Sequence, residues 1–334
     1  MPRKSRIDFP GGLHHIIARG NERKEIFSDD IDYNRFFQRL GRILVETKTQ
    51  CLAWALLPNH FHLLLRTGSI PISTVMRRLL TGHALYYNRR HLRNGHLFQN
   101  RYKSILCQED AYLLELVRYI HLNPFRAGLV KRYNDLSAYP FCGHSAILKR
   151  TDRLWQDTDS VLALFGKERK NARIRYQSFV REGIDMGKRK DLMGGGMLRS
   201  PGGWTAVNKS HRDHPSQKGD ERILGDGHFI DNTLRKAEAR MERQLILTAQ
   251  GIDFEEVVQR VANHFGLPPA DLLAGGKRRQ TVTARSLLCY WAATELGLSQ
   301  VQLSHRLKIS QPAISAAVER GRQLAKKEQL QLMG

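Results

Sequence analysis

Three stretches in the first third of the chain have strand character. Leu13-His14-His15-Ile16-Ile17-Ala18-Arg19 is the first, ended by Gly20-Asn21. Residues 51–57 and 61–66 flank Pro58-Asn59, a turn signal, and read as a hairpin. Between the first strand and that hairpin the period changes to helical. Ser28-Asp29-Asp30 gives a helix start, and Tyr33, Phe36, Phe37, Leu40 and Leu44 follow at helical spacing. Residues 71–93 form a second helix with Val75, Leu79, Leu80 and Leu85 among its apolar positions. Tyr102 to Cys107 is another strand. A helix from about Glu109 to Leu122 carries Leu113, Leu116, Val117 and Ile120 as its buried stripe, with Pro124 as its stop. Strand, helix, hairpin and further helices predict an α+β fold with an antiparallel sheet.

Residues 131–185 mix apolar and charged positions in helical fashion and complete or flank this first part, so residues 1–185 form one domain. Composition then shifts. Gly194-Gly195-Gly196, Ser200-Pro201-Gly202-Gly203 and the polar run Lys209–Lys218 mark 186–234 as a linker, partly disordered. Residues 235–334 are helical again. A helix around 235–248 opens them, and Phe254, Val257, Val258, Val261 and Phe265 define the next, stopped by Gly266 and Pro268-Pro269. Thr283 to Leu296 is another. Ser299 with Gln302 is a capping-box pattern and Ser310 can cap a following helix, so two short helices across Lys308-Ile309-Ser310 read as helix-turn-helix. An ordinary helical hairpin is the plainer reading of the same pattern.

Length suits two domains, and the formal net charge of +22 on 334 residues predicts a polyanionic partner, nucleic acid before membrane surface. No apolar run spans a bilayer and no signal peptide is visible, so no membrane partner is expected. Four scattered cysteines without a Cys-x-x-Cys pair indicate neither a zinc site nor a disulfide framework, and a reducing cytoplasm is the expected compartment, with association to the nucleoid.

Candidate chemistry concentrates in two places. His60 and His62 flank Phe61, so on a strand both imidazoles face one way and can bind one divalent metal. An isolated His-x-His is equally compatible with two surface histidines. On the 109–122 helix, Tyr112, Tyr119 and Asn123 cluster beside the buried stripe, and Tyr119 and Asn123 stand one turn apart. Asn123 before Pro124 is also an ordinary helix terminator. Between these places lie Tyr86, Tyr87, Arg89, Arg90, Arg93, Phe98, Arg101, Tyr102 and Lys103, a mixture of cations and rings suited to single-stranded nucleic acid. The alternative is that the rings are core and the charges solvated. In the C-terminal helix pair, Gln311 and Ser315 would face a major groove, with Arg320 and Arg322 near phosphates.

Pro58-Asn59-His60-Phe61-His62 resembles the His-hydrophobic-His signature of HUH single-strand endonucleases. Together with Arg118-Tyr119-Ile120-His121-Leu122-Asn123-Pro124-Phe125-Arg126-Ala127-Gly128-Leu129-Val130 it resembles the REP-associated tyrosine transposases, relatives of the single-tyrosine insertion-sequence transposases. The likeness covers roughly residues 10–135. It implies a ferredoxin-like sheet with helices on one face, Tyr119 as nucleophile, and His60, His62 and Asn123 as ligands of Mg²⁺ or Mn²⁺. Many insertion-sequence relatives carry Gln at the third ligand position, so Asn123 favours the REP-associated branch. The implied reaction is cleavage and rejoining of hairpin-bearing single strands through a 5′-phosphotyrosine. Single-stranded hairpins are the expected partner. Duplex DNA at the C-terminal part and a homodimer are further candidates. Tyr112 is the rival nucleophile, outside the motif.

Residues 253–323 resemble the DNA-binding domain of the replication initiator DnaA in Lys277-Arg278-Arg279, Ala284-Arg285 and the last helix pair. Ser310-Gln311-Pro312-Ala313-Ile314 stands where DnaA has Arg-Asp-His-Thr-Thr, so a DnaA-like base preference is not implied. Two competing readings are a non-catalytic DNA-binding regulator on the same fold and a replication or transfer nickase. No Walker loop of a coupled helicase follows the nuclease region.

Overall fold

The computed structural model describes residues 7–68, 70–187, 189–193, 220–274, 276 and 278–333. The basic arm, most of the glycine-rich stretch with its Lys209–Lys218 run, and Lys277 lie outside the described residues. The chain divides into two compact units, residues 1–231 and 232–334.

The first unit is built on a five-stranded sheet in the order β2-β3-β1-β4-β5. The strands are β1 (Leu13–Arg19), β2 (Gln50–Leu57), β3 (His60–Arg66), β4 (Lys103–Cys107) and β5 (Ile223–Leu224). The first four pair antiparallel, and the two-residue β5 adds a parallel edge to β4. β5 and a short 3-10 turn at Lys190–Met193 fall within the stretch expected to be linker.

Alternation along the strands makes both faces apolar. Ile16, Trp54, Leu56, Phe61, Leu63 and Leu65 pack under α1 (Asp30–Thr47) and α2 (Ile72–Arg90). Asp29 caps α1 by accepting from the Ile31 and Asp32 N–H groups at 3.0 and 3.1 Å. The opposite face offers Leu13, Ile17, Ala55, Leu57, Leu64 and Ile105 to a second layer. That layer contains α3 (Glu109–His121), α4 (Asn123–Arg126), α5 (Gly143–Ile147), α6 (Thr158–Ala163) and α7 (Arg169–Glu182). The α+β class is therefore borne out, with a helical layer on the second face as well. The predicted α3 stripe is buried, whereas Leu85 of α2 is 69% exposed.

Pro124 does not end the chain's helical course. It sits in the first turn of α4, where its missing N–H costs no hydrogen bond, and the Leu122 junction keeps right-handed helical angles. Arg126, in α4, lies over the Tyr119 ring.

The second unit is helical. It comprises the greater part of α8 (Gly227–Ala249), α9 (Phe254–Phe265), α10 (Pro269–Leu273), α11 (Arg279–Thr294), α12 (Gln300–Leu307) and α13 (Gln311–Glu328). The Ser299–Gln302 capping box forms, Lys308 makes the left-handed turn and Ser310 caps α13. α13 is 18 residues long, not the short second helix that the pattern suggested. Gly321 lets it cross α11 closely, since a Cβ there would meet the Ser286 carbonyl oxygen at 1.9 Å.

The first unit buries several histidines away from the site discussed below. His83 bonds to the Ile26 carbonyl at 2.8 Å, and His121 and His144 share the Tyr176 hydroxyl at 2.7 and 2.8 Å. Burial pulls His83 and His144 down from 6.5 to about 4 and His121 well below its ordinary value. Below pH 6.5 the unfolded chain takes up protons that the folded chain refuses, so acid removes stability, by up to about 1.4 kcal/mol per pH unit for each such group. Melting temperature should be level above pH 7 and fall steeply from pH 6.5 towards 4. A melt unchanged down to pH 5 would contradict this.

Candidate active site

The site lies on the sheet face covered by α3, at one end of β1 and β3. The β2–β3 turn that precedes it is braced from outside. The Pro58 carbonyl accepts the Ile26 and Phe27 N–H groups at 2.7 and 3.1 Å, and the Asn59 carbonyl accepts Gly20 N–H at 2.8 Å. Gly20 has no room for a side chain, because a Cβ would stand 2.0 Å from the Lys24 carbonyl oxygen.

Register decides which side chains meet. Arg19 pairs with His60, Ile17 with His62 and His15 with Leu64, so His15, Arg19, His60 and His62 share one face. The rings of His60 and His62 are 5.3 Å apart and those of His15 and His62 5.2 Å. From α3, Tyr119 meets both His62 and His15 edge-on, at 5.8 and 6.0 Å. The structure thus brings together His60, His62 and Tyr119, three of the expected residues. Asn123 follows one turn later, its amide donating to the Tyr119 carbonyl at 3.0 Å. Tyr112 is half-buried against the core of this layer.

Hydrogen bonding assigns the tautomers. The Leu192 carbonyl can only accept, so His15 donates to it through Nδ1–H at 3.1 Å. The neutral ring then presents Nε2 as an acceptor, and His62 must donate through Nδ1–H at 3.0 Å. That leaves the lone pair of His62 on Nε2. His60 is set in the same sense. Asn59 uses its amide nitrogen on the Arg23 carbonyl at 3.1 Å, so its oxygen accepts His60 Nδ1–H at 2.6 Å. Two imidazoles with Nε2 lone pairs and fixed Nδ1 partners could hold a divalent metal. Burial, and then the charge of Arg19, lowers His60 from 6.5 to about 4. Burial, His15, His60 and Arg19 hold His62 well below its ordinary value. Both are neutral at pH 7, as ligation requires. Among the described residues no cluster of three or more His, Cys, Asp or Glu side chains forms a ready metal cage. The set that fits here is two imidazoles and the Asn123 amide oxygen.

Tyr119 is 6% exposed. Burial raises its pKa, opposed by the charge of Arg126, the hydrogen bond from Asn123 and the charge of Arg19. The Arg126 guanidinium lies 5.6 Å from the Tyr119 ring centre. One arm donates to the Gly183 carbonyl at 2.9 Å, while Nε and Nη1 are buried without a hydrogen-bond partner among the described residues. Buried donors left unpaired are costly, and a phosphodiester oxygen would satisfy them. His15 and Arg19 escaped the motif reading, and Arg126 stood in the motif without a role. Strand parity alone puts His15 and Arg19 on one face, but only the β1–β3 register puts that face beside His60 and His62.

The expected nucleic-acid residues divide. Arg90 is committed to α1, pairing with Asp29 and Asp32 at 2.6 Å each. Asp32 is fully buried. Burial pushes its pKa up, but the Ser28 N–H, Arg90 and His91 together hold it below the ordinary value. Arg90 therefore locks the end of α2, its charge answered by two carboxylates. Tyr87 is buried, and Tyr86, Phe98 and Tyr102 pack half-buried on the α1/α2 core, so the rings of this segment contribute to packing. Arg93 lies over Tyr87 at 5.8 Å. Arg89, Arg101 and Lys103 are exposed, Lys103 on the face of the site. In the second unit Gln311 and Ser315 are half-buried at the start of α13. Arg322 pairs with Glu319 at 2.8 Å, and exposed Arg320 reaches Ser286 Oγ at 3.3 Å. Arg320 lines a groove between α11 and α13 with Arg279, Gln323 and Lys327.

Residues 11–123 match the family model described as "Transposase IS200 like", which takes in β1, the His60–His62 strand and α3 through Asn123. A solved structure described as "Structure of the REP associates tyrosine transposase bound to a REP hairpin" is similar at 19% identity, covering 47% of this chain and 98% of that one with a TM-score of 0.38. No curated protein matches the chain. Among the described residues no helix is long and apolar enough to cross a membrane.

Proposed function

We propose that the chain is a metal-dependent transposase that cuts and rejoins hairpin-bearing single-stranded DNA through a 5′-phosphotyrosine. The observation that carries this reading is Tyr119 standing 5.8 Å from His62, inside the segment that matches the IS200-like family model. Tyr119 Oη attacks phosphorus, the bond from phosphorus to the 3′-oxygen breaks, and the departing strand leaves with a 3′-hydroxyl that takes up a proton. The phenol gives up its own proton in the same exchange. Arg126 and Arg19 favour the phenolate that this requires, and the unpaired donors of Arg126 hold the phosphate. Bond energy is conserved in the phosphotyrosine, so rejoining to another 3′-hydroxyl needs no nucleotide. His60, His62 and Asn123 would hold Mg²⁺ or Mn²⁺, which when bound acts as Lewis acid on a phosphate oxygen. His15 keeps His62 in the ligating tautomer. The deciding experiment is incubation with Mg²⁺ and a panel of hairpin-bearing single strands, followed by denaturing electrophoresis. A protein–DNA adduct is expected, and its absence across the panel counts against the enzyme and for a binding protein.

The second unit serves as a tethered duplex-DNA module in this proposal. A piece beginning at Gly227 keeps α8 whole and should bind duplex DNA, with affinity falling steeply as salt rises. Arg320→Ala should weaken binding to every sequence, and Gln311→Ala should chiefly change sequence preference. Anisotropy titrations at two salt concentrations check both. Failure to bind either duplex or single strand would make this unit a protein-interaction module. The complementary N-terminal piece must extend past β5, since ending it near Ile184 removes Leu192 from His15 and the β5 edge from β4.

A further inference from the structure

The hydrogen bond between His15 and His62 has no direction of its own. Either neutral ring can donate to the other, and the two senses leave the His62 lone pair on opposite nitrogens. The Leu192 carbonyl breaks that symmetry from the far side of His15, since at 3.1 Å it can only accept. Leu192 belongs to the 3-10 turn Lys190–Met193, outside residues 11–123 that match the family model. Two anchors hold this turn. The Leu192 side chain is fully buried in the core that also takes Leu116, Val117 and Ile120 of α3. Arg189, just before the turn, is 8% exposed, and its carbonyl accepts the Leu192 N–H at 3.3 Å. Its guanidinium reaches both ways. Nε and Nη2 donate to Asp191 within the turn at 3.0 and 2.7 Å, and Nη1 donates to Glu115 Oε2 of α3 at 3.1 Å. A planar fork with partners on two sides ties turn to helix in one geometry.

We propose that Arg189 is a positioning residue for the metal site: by clamping the Lys190–Met193 turn to Glu115 it holds the Leu192 carbonyl on His15 and so sets the direction of the His15–His62 hydrogen bond. The proposal rests on the reading of His62 as a metal ligand. Once the turn is loosened, His15 is free to carry its proton on Nε2 and donate to His62 Nδ1. His62 then carries its own proton on Nε2, and its lone pair is spent inside the protein. Each ring keeps one proton, so no charge changes. What is lost is the nitrogen that would meet the metal.

The test uses the full chain without DNA and reads Mn²⁺ alone by titration calorimetry. Cleavage would mix two effects, because the charges of Arg189 and Asp191 also act on Arg126 and Tyr119. Arg189→Met keeps the packing of the buried stem and removes the fork. It should lower Mn²⁺ affinity about tenfold. On a His15→Phe background the same substitution should lower it no further, since the path is already cut at His15. Val161→Ala, in the same core but off the path, should cost stability and leave the affinity unchanged. Nitrogen-15 spectra at pH 7, with the His62 signals assigned through His62→Ala, give the second readout. The parent should carry the His62 proton on Nδ1, and Arg189→Met should move it towards Nε2. Leu192→Ala, which loosens the other anchor, should move it the same way. Equal losses of affinity on both backgrounds overturn the proposal, as does a His62 proton that stays on Nδ1 in both Arg189→Met and Leu192→Ala. A parent that binds no Mn²⁺ sinks the metal reading, and the nitrogen spectra then decide the clamp by themselves.

Discussion

Tyr119→Phe should yield a protein that folds and binds DNA yet forms no covalent adduct. The substitution removes one oxygen and leaves the ring that packs against His15, His62 and Arg126. Its cost to stability is that of one hydrogen bond to Asn123, about 1 kcal/mol. Its cost to chemistry is the nucleophile itself, so cleavage should fall by about 10⁴-fold or more, to background. Tyr112→Phe is the matched control. Tyr112 sits two helical turns before Tyr119, half-buried in the core of the second helical layer, and its substitution should leave adduct formation intact. Denaturing gels of both variants with labelled strands decide the matter. An adduct in Tyr119→Phe, or its loss in Tyr112→Phe alone, would move the nucleophile.

What could be read from the sequence was local. The two-residue period of β3 places His60 and His62 on one face, and the stripe of Leu113, Leu116, Val117 and Ile120 orients α3 so that Tyr119 flanks the core. Both follow from backbone geometry within a dozen residues. His15 was not legible as a neighbour of His62, because 47 residues separate them and only strand pairing brings them together. Leu192 is remoter still, reaching His15 across 177 residues from a stretch whose glycine content reads as linker. Arg90 misleads for the opposite reason. Its charge suggests phosphate, but Asp29 and Asp32, 61 and 58 residues earlier, already neutralise it. Pro124 shows how one residue type carries two meanings: it bars helix continuation from inside but begins a new turn when it stands at the start. The second face of the sheet was legible in principle, since Ile17, Ala55 and Leu57 are apolar on the side that also holds the histidines.

Loss of metal binding is the sharpest consequence of the tautomer arrangement. His60 is half-buried, so His60→Ala removes a ligand atom with little loss of packing, and Mn²⁺ affinity should fall at least about 100-fold. His62→Ala should do the same at a greater cost in stability, because it also leaves His15 Nε2 buried without its donor. His15→Phe replaces neither candidate ligand and keeps a ring in the core. It frees His62 Nδ1–H from its acceptor, so the ring is no longer held with Nε2 towards the site, and Mn²⁺ affinity should fall about 10- to 100-fold. Since burial keeps His60 near 4 and His62 well below its ordinary value, protons do not compete with the metal from pH 8 to pH 6, and wild-type affinity should be level across that window. Titration calorimetry and Mn²⁺ spin resonance measure these affinities without any DNA, and cleavage in chelator measures the consequence. Cleavage undiminished by chelation would remove the metal from the mechanism. Mn²⁺ affinity unchanged in both His60→Ala and His62→Ala would place any bound metal elsewhere.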